Sequence, residues 1–403
     1  MCLDMKLWNN IKTWILNTAR VMRRELNLSL TDIGALIFFI LLPLVYPIVY
    51  TVIYNPEVAR EIPVAVVDNS RSASSREFVR MVDATESMHV IGYAANMEEA
   101  RRWKDSKDCY GILLIPESYG RDLGRGEQAN ITFYSDMSLL LRYRSMLMSM
   151  TNLQLAAGSK IRTELMGSAG LSSFNMSSPV ENQSFMLGDT EQGFASFIIP
   201  GIIILILQQS MILGITLLGG TSYERRLRNG GYDPLAVDAS PSSTVIGRML
   251  CYVLIYLPMT LYVLHYIPVF FSLPHVGSPL HYIPFVLPML IASAFLGMTL
   301  QFMVKEREMS FMVVVFTSVV FLFLSGLTWP RYAMSWFWTG LGDMIPAVWG
   351  MEGFIRINSN NATIFDNSHP YIMMWVLSLF YFFTAILVTR FTARSARRHA
   401  FDR

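Results

Sequence analysis

No lysine in this sequence follows a glycine. The phosphate-binding loop of a P-loop ATPase needs that step, because its backbone N–H groups and its lysine cradle the phosphates together. The lysines are Lys6, Lys12, Lys104, Lys107, Lys160 and Lys305, so hydrolysis of a nucleotide by that machinery is excluded. Cysteine is scarce as well. Cys2 lies at the N-terminal end, Cys109 in a polar middle segment and Cys251 in an apolar run, so no disulfide framework supports any part of the chain. Metal-ligand spacing of His and Cys is missing. His265, His275 and His281 share no helix face and read as loop or interfacial histidines. Ser-His-Asp chemistry has no support either, since His89 falls on an expected buried or edge strand. Asp68, Asn69 and Ser70 sit between a strand and a helix, where Asx and Ser residues serve turns and caps. Charge is sparse too, at 15% of residues against about 25% in soluble domains. With a net charge of only +2, no nucleic-acid partner is expected.

What is present is apolar sequence in long runs. The chain is 53% hydrophobic and its mean hydropathy is +0.38. Roughly 20 apolar residues in a helix span a bilayer core, each rising about 1.5 Å with its backbone satisfied internally. The runs Ile33–Tyr54, Phe194–Gly220, Val245–Phe271, Tyr282–Val304, Ser310–Trp329 and Tyr371–Thr389 predict six transmembrane helices. Lys6, Lys12, Arg20, Arg23 and Arg24 precede the first. Arg225, Arg226, Arg228 and Arg248 follow the second, Lys305 and Arg307 the fourth, and Arg390, Arg394, Arg397, Arg398 and Arg403 the sixth. The opposite short loops hold only Arg331 and Arg356. The positive-inside rule therefore predicts cytoplasmic termini and an outer location for the segment between the first two spans. The first span is too long for a signal h-region and has a basic lead, so it reads as an uncleaved anchor.

The expected division is a cytoplasmic amphipathic helix over 1–32, a first span over 33–54, and an extracytoplasmic α/β domain over 55–193. A five-helix transmembrane part over 194–390 and a basic tail over 391–403 complete the chain. Trp8, Ile11, Trp14, Ile15 and Val21 alternate with Lys12, Arg20, Arg23 and Arg24, which suits a helix in the inner interface among anionic headgroups, or one docked on a partner. Within the inserted domain, strands are expected at Ile62–Asp68, His89–Tyr93, Cys109–Ile115 and Ile131–Tyr134. Helices are expected through Phe78 and Val82, over Met97–Lys107 behind an Asn96/Glu99 capping box, and over Leu139–Met166. A polar linker, Ser172–Asp189, follows.

Three groups of residues are candidate sites. Gln208, Gln209 and Ser210 lie midway along the second span and Ser325 near the end of the fifth. Amides are expensive in hydrocarbon unless they face a partner helix or water, so these four line a substrate path or join helices; the helix-joining reading is favoured. Ser325–Pro330 ends the fifth span, and 343–357 reads as a partly buried, re-entrant element bearing Glu352 and Arg356, which at i, i+4 can pair with each other. The loop Thr221–Gly247 carries Glu224, Arg225, Arg226 and Arg228, a charged surface suited to a soluble partner or simply solvated.

In these features the chain resembles the membrane subunit of an ABC-2 type exporter over nearly its whole length. The resemblance rests on VAVVDNSRSASSREFV (Val64–Val79), FIIPGIIILILQQ (Phe197–Gln209), YERRLRNGG (Tyr223–Gly231) with SPSSTVIGRM (Ser240–Met249), and the segment Leu324–Ile357. It implies a non-catalytic permease subunit of the bacterial cytoplasmic membrane, paired with a second permease subunit, alike or different. Each would dock a separate ABC ATPase that holds ATP and Mg, and this chain would hold no cofactor. Glu224, Arg225, Arg226 and Arg228 would couple to that ATPase, the N-terminal helix would be the connecting helix, and 343–357 the re-entrant outer helix. Many family members carry a Lys-Gly-Thr-like step where this chain has Leu227-Arg228-Asn229. A periplasmic adaptor with an outer-membrane channel is a further partner to be considered. Two other readings stay open: a mechanical transmitter that moves an adaptor without passing substrate through its own spans, and a membrane-anchored sensor.

Overall fold

The computed structural model describes residues 2–54, 59–168, 194–273 and 275–401. The chain divides into two compact units, Pro56–Phe185 and a larger one formed by Met1–Asn55 with Met186–Arg403. The polar linker expected over Ser172–Asp189 lies outside the described residues.

The smaller unit begins with β1 after the first apolar helices. To keep one chain-order numbering, those helices come first: α1 (Cys2–Thr31), α2 (Ile33–Leu36) and α3 (Leu42–Tyr54). The smaller unit then holds β1 (Ile62–Asp68), α4 (Ala73–Asp83), β2 (Met88–Tyr93), α5 (Met97–Asp105), β3 (Gly111–Ile115), α6 (Tyr119–Gly124), β4 (Thr132–Ser135) and α7 (Leu140–Ser168). Its sheet has the order β2-β1-β3-β4, with β1 parallel to both neighbours and β4 antiparallel to β3. The unbroken apolar run of β1 follows from burial on both faces. Val64 and Val66 pack with Phe78, Val82 and Met146, while Ala65 and Val67 pack with Ala100, Cys109 and Ile112. Local chemistry sets the helix starts. Ser72 Oγ accepts the Ser75 N–H at 3.1 Å, and Asn96 Oδ1 accepts the Glu99 N–H at 2.9 Å. Glu99 reaches back to the Ala95 N–H, one residue before the box position expected. Asp68 accepts from the Ser70 and Arg71 N–H groups and from the Ser75 hydroxyl, which closes the turn between β1 and α4. His89 lies on the edge strand β2, exposed beside Asp83.

The larger unit is helical: α1 to α3, then α8 (Phe194–Arg228), α9 (Pro241–Leu261), α10 (Ile267–Phe270), α11 (Pro279–Leu300), α12 (Met309–Leu324), α13 (Trp336–Asp343), α14 (Pro346–Asn360) and α15 (Ser368–Phe401). Among the described residues, five helices are long and apolar enough to cross a membrane: Ile33–Tyr54, Ile198–Arg228, Pro241–Phe270, Pro279–Met303 and Ser368–Thr392. The fifth run expected, Ser310–Trp329, forms a shorter helix. It ends at Leu324 because Gly326 turns at φ 90° and Pro330 follows, so α12 is about 24 Å long at 1.5 Å per residue. The first span and the third are each interrupted by a π turn, at Ile37–Leu41 and Tyr262–Tyr266. Pro43 and Pro268 stand two residues beyond these turns. A proline has no N–H to give the preceding turn, and the ladder shifts to i+5 bonds, Leu42 N–H to Ile37 O and Ile267 N–H to Tyr262 O.

α8 is the axis of this unit. Its apolar window is 89% buried, against 22% for Ile33–Tyr54 and 28% for Ser368–Thr392, so the flanking helices carry the outward apolar faces. Close approach uses small residues. A methyl group on Gly353 of α14 would meet the Phe285 ring of α11 at 2.0 Å, whereas one on Gly340 of α13 would meet nothing within 4 Å. Gly353→Ala should therefore lower stability by about 1–3 kcal/mol through overpacking. Gly340→Ala should be neutral or stabilising by up to about 1 kcal/mol. Thermal unfolding of the two full-length variants checks the contrast; equal shifts would contradict the packing described.

Candidate functional site

Arg24, Arg225, Arg248 and Arg307 come together in the larger unit, and with them come acids that composition alone concealed. α8 does not stop at Gly220 but continues to Arg228, so Glu224, Arg225, Arg226 and Arg228 are helical and not part of a loop. The reason is that Thr221–Arg228 holds good helix formers and no breaker before Gly230-Gly231, both at positive φ. The connection to α9 is correspondingly short and ends at Ser240, whose hydroxyl accepts the Ser243 N–H at 3.2 Å and caps the helix.

Glu25 of α1 is 2% exposed and accepts from Arg248 Nε at 2.8 Å and from the Tyr252 hydroxyl, both on α9. Arg248 also donates to Gln301 Oε1 at 3.0 Å. Asp233, 1% exposed, takes Arg24 at 3.1 Å, Arg225 at 3.2 Å and the Ser222 hydroxyl at 2.8 Å. Asp32 receives both guanidinium arms of Arg307, at 2.8 and 2.7 Å, while it caps the Ala35 N–H. Glu224 accepts the Arg307 N–H at 2.7 Å. Three chain segments far apart in sequence are thus locked to α8 and α9 by charge-assisted bonds, the strong kind. Trp14 and Thr18 extend the lock by bonding Ser242 and Ser243. Burial alone would raise the Glu25 pKa, but the charges of Arg248 and Arg24 and the Tyr252 hydroxyl outweigh it and hold the carboxyl below its ordinary range. Burial likewise opposes at Asp233 and Asp32, both also held low, the first by its bonds from Arg225 and Ser222 and the second by those from Arg307 and the Ala35 N–H.

Of the four expected coupling residues, then, Glu224 and Arg225 are engaged within the chain and Arg226 lines a partly open pocket. Arg228 is the outlying one, its side chain 81% exposed and 3.9 Å from Glu224. Sequence reasoning missed Glu25, Asp32 and Asp233. The signal for each was an isolated acid inside a positive-inside segment, where a carboxylate is out of place unless it is bonded.

Midway along α8, Gln208 Oε1 accepts from the Ala347 N–H at 2.7 Å and from the Ser293 hydroxyl at 3.1 Å. A side chain from the second span thereby caps the first turn of α14 and ties it to α11, an interhelical use of the amide. Ser210 accepts from the Tyr256 hydroxyl at 2.8 Å and donates to Leu207 O. Both amide atoms of Gln209 are buried without a hydrogen-bond partner. Ser325 caps its own chain by donating to Leu322 O and accepting the Leu327 N–H. The element expected over 343–357 is chiefly α14, which Pro346 starts after a break at Met344-Ile345 that separates it from α13. Glu352 pairs with Arg356 at 2.7 Å and also with Arg331 at 3.4 Å; Arg331 further pairs with Asp343 and lies 4.8 Å over the Trp349 ring.

Two histidines that share no helix face nevertheless meet. His265 Nδ1 and His275 Nε2 are 3.2 Å apart, and His275 bonds Asn358. Burial, with the neighbouring His265, lowers the His275 pKa against the opposing Asn358 bond. Among the described residues no group of three or more His, Cys, Asp or Glu side chains comes together in metal-binding geometry.

A family model described as ABC-2 family transporter protein matches residues 33–387. No curated protein matches the chain.

The Glu25–Arg248 pair makes a direct test of the charged end. Glu25→Gln should destabilise the protein by about 3–5 kcal/mol, since it leaves a buried guanidinium uncompensated, and Glu25→Gln with Arg248→Met should recover part of that loss. Because the folded carboxyl is held below its ordinary range, its contribution is present above the unfolded value and is lost as pH falls through the folded one. Acid unfolding of wild type should therefore be steeper than that of Glu25→Gln, as read by tryptophan fluorescence; superimposable acid limbs would remove Glu25 from the account.

Proposed function

The chain belongs to the ABC-2 transporter family, and from that premise we propose that it is the permease subunit of an ATP-binding-cassette exporter. It is a multi-pass membrane protein, and membership of the family implies association with an ABC ATPase. The finer reading is that two such subunits sit in the bacterial cytoplasmic membrane with both termini inside. The Pro56–Phe185 unit lies outside, and ATP hydrolysed on the partner drives substrate outward. The asymmetry of basic residues supports that orientation.

The observation that carries this reading is the single helix α8, continuous from Arg228 to beyond Gln208. Twenty residues at 1.5 Å each make a rod of about 30 Å. One end is tied to α1 through Asp233, which pairs with both Arg225 and Arg24, and to the Gln301–Arg307 segment by hydrogen bonds at Glu224 and the Ile215 carbonyl. α1 is itself paired with α9 through Glu25 and Arg248. The other end holds the first turn of α14 through Gln208. A push at the exposed end is delivered to α14 without a flexible joint between, which is what a subunit moved by an external ATPase requires. Substrate would then pass where α14 and its neighbours part. In this arrangement Gln208 acts as a positioning residue for α14.

The test is isolation of the full-length protein from its native membranes after mild crosslinking, with ATP hydrolysis as the readout. Wild type should retain an ATP-hydrolysing subunit. Arg228→Glu should retain it several-fold less well while thermal stability stays within about 0.5 kcal/mol, as expected for an exposed substitution. Absence of any ATP-hydrolysing subunit from the wild-type complex would defeat the proposal.

A further inference from the structure

The charged end of the larger unit forms a partly open pocket of about 80 Å³ whose lining includes Arg24, Glu25, Arg225, Arg226, Arg248 and Gln301. Four guanidinium groups surround it, and the carboxylates bonded to them are two. Glu25 serves Arg248 and Arg24, and Asp233 serves Arg24 and Arg225. Two positive charges are left over. Arg226 has no carboxylate within 4.0 Å among the described residues, and Arg24 Nε is buried with no hydrogen-bond partner. Of the hydroxyls on the same wall, those of Thr389, Thr392 and Thr244 donate to backbone carbonyls and that of Ser222 donates to Asp233. The wall therefore offers surplus N–H donors and surplus positive charge. Excess charge of one sign in a partly desolvated site calls for a counter-charge.

We propose that this pocket binds a phosphate-type oxyanion, either free phosphate or the headgroup phosphate of an anionic phospholipid. Planar guanidinium groups match tetrahedral oxyanions with paired N–H donors. The volume, set against about 30 Å³ for one water, leaves room for a small oxyanion. α1, which supplies Arg24, also exposes Trp8, Ile11 and Ile15, an apolar strip suited to the headgroup boundary of a bilayer. The site needs neither an ATPase nor a transported substrate, so it stands apart from the exporter reading.

The experiment uses purified full-length protein in neutral detergent and follows thermal unfolding. Sodium phosphate is titrated against sodium chloride at matched ionic strength. In a second arm, protein in phosphatidylcholine nanodiscs is compared with protein in nanodiscs that also contain phosphatidylglycerol. A saturable rise in Tm with either probe is expected. Arg226→Gln should weaken the apparent affinity at least tenfold, and the exposed control Arg390→Gln should not. Stabilisation by phosphatidylglycerol alone assigns the site to a headgroup; stabilisation by phosphate shows that the free ion suffices. If Arg226→Gln does not fold, Arg226→Lys keeps the charge, loses the planar fork, and should bind several-fold more weakly. No saturable rise beyond chloride in both arms overturns the proposal. So does an equal loss in Arg390→Gln, or an unchanged affinity in Arg226→Lys.

Discussion

The structure depends most on the burial of two acids, Glu25 and Asp233, at the basic end of the helical unit. Taking a carboxylate out of water is costly, and it is tolerated only with close countercharges and full hydrogen bonding. Arg248, Tyr252 and Arg24 meet that condition for Glu25, and Arg24, Arg225 and Ser222 meet it for Asp233. Because Arg24 and Glu25 lie on α1, Arg225 on α8 and Arg248 on α9, no one of these helices can slide without stranding a charge. Arg307, held by Asp32 and bonded to Glu224, draws the connection between α11 and α12 into the same block.

That block gives the long helix α8 its mechanical sense. A helix buried along most of its length usually serves as a passive core. α8 instead carries polar groups at two levels, the ion-pair cluster near Arg225 and the amide of Gln208, and each binds a different set of neighbours. The break at Met344-Ile345 leaves the first N–H groups of α14 without partners in their own helix. Gln208 supplies one acceptor from across the interface. An amide that reads from sequence as an expense in hydrocarbon is here the means by which a broken helix is seated.

The sequence disclosed the apolar helices and the sheet unit because both announce themselves by local pattern. IPVAVVD has the unbroken run of a strand buried on both faces, and Ser72 and Asn96 have the spacing of caps. Helix ends were less legible. By apolar pattern the second span ends at Gly220 with a charged helix in the loop beyond it, whereas Thr221–Arg228 continues the same helix, because charge does not oppose helix and the glycines that do come later. The short α12 was overread since apolar composition continues past Ser325, while the turn at Gly326 ends the helix. Least legible were long-range partners. Nothing in the spacing of His265 and His275, or of Glu25 and Arg248, says that they meet. Helix packing decides it, and the π turn at Tyr262–Tyr266 shifts the helix face on which His265 sits.

A charge network also answers a problem that apolar packing leaves open inside a bilayer. Lipid chains are as apolar as leucine, so helices gain little by exchanging lipid for one another, and many rotations and registers are close in energy. The larger unit has broad outward apolar faces, on α12 at Phe316 and Val319 and on α15 at Leu379 and Phe383, that favour no particular arrangement. An ion pair formed at 2.8 Å favours one. Moving α1 by a single turn against α9 would carry Glu25 about 5.4 Å from Arg248, far beyond hydrogen-bond range. Register in this unit is thus set at its charged end and passed along α8.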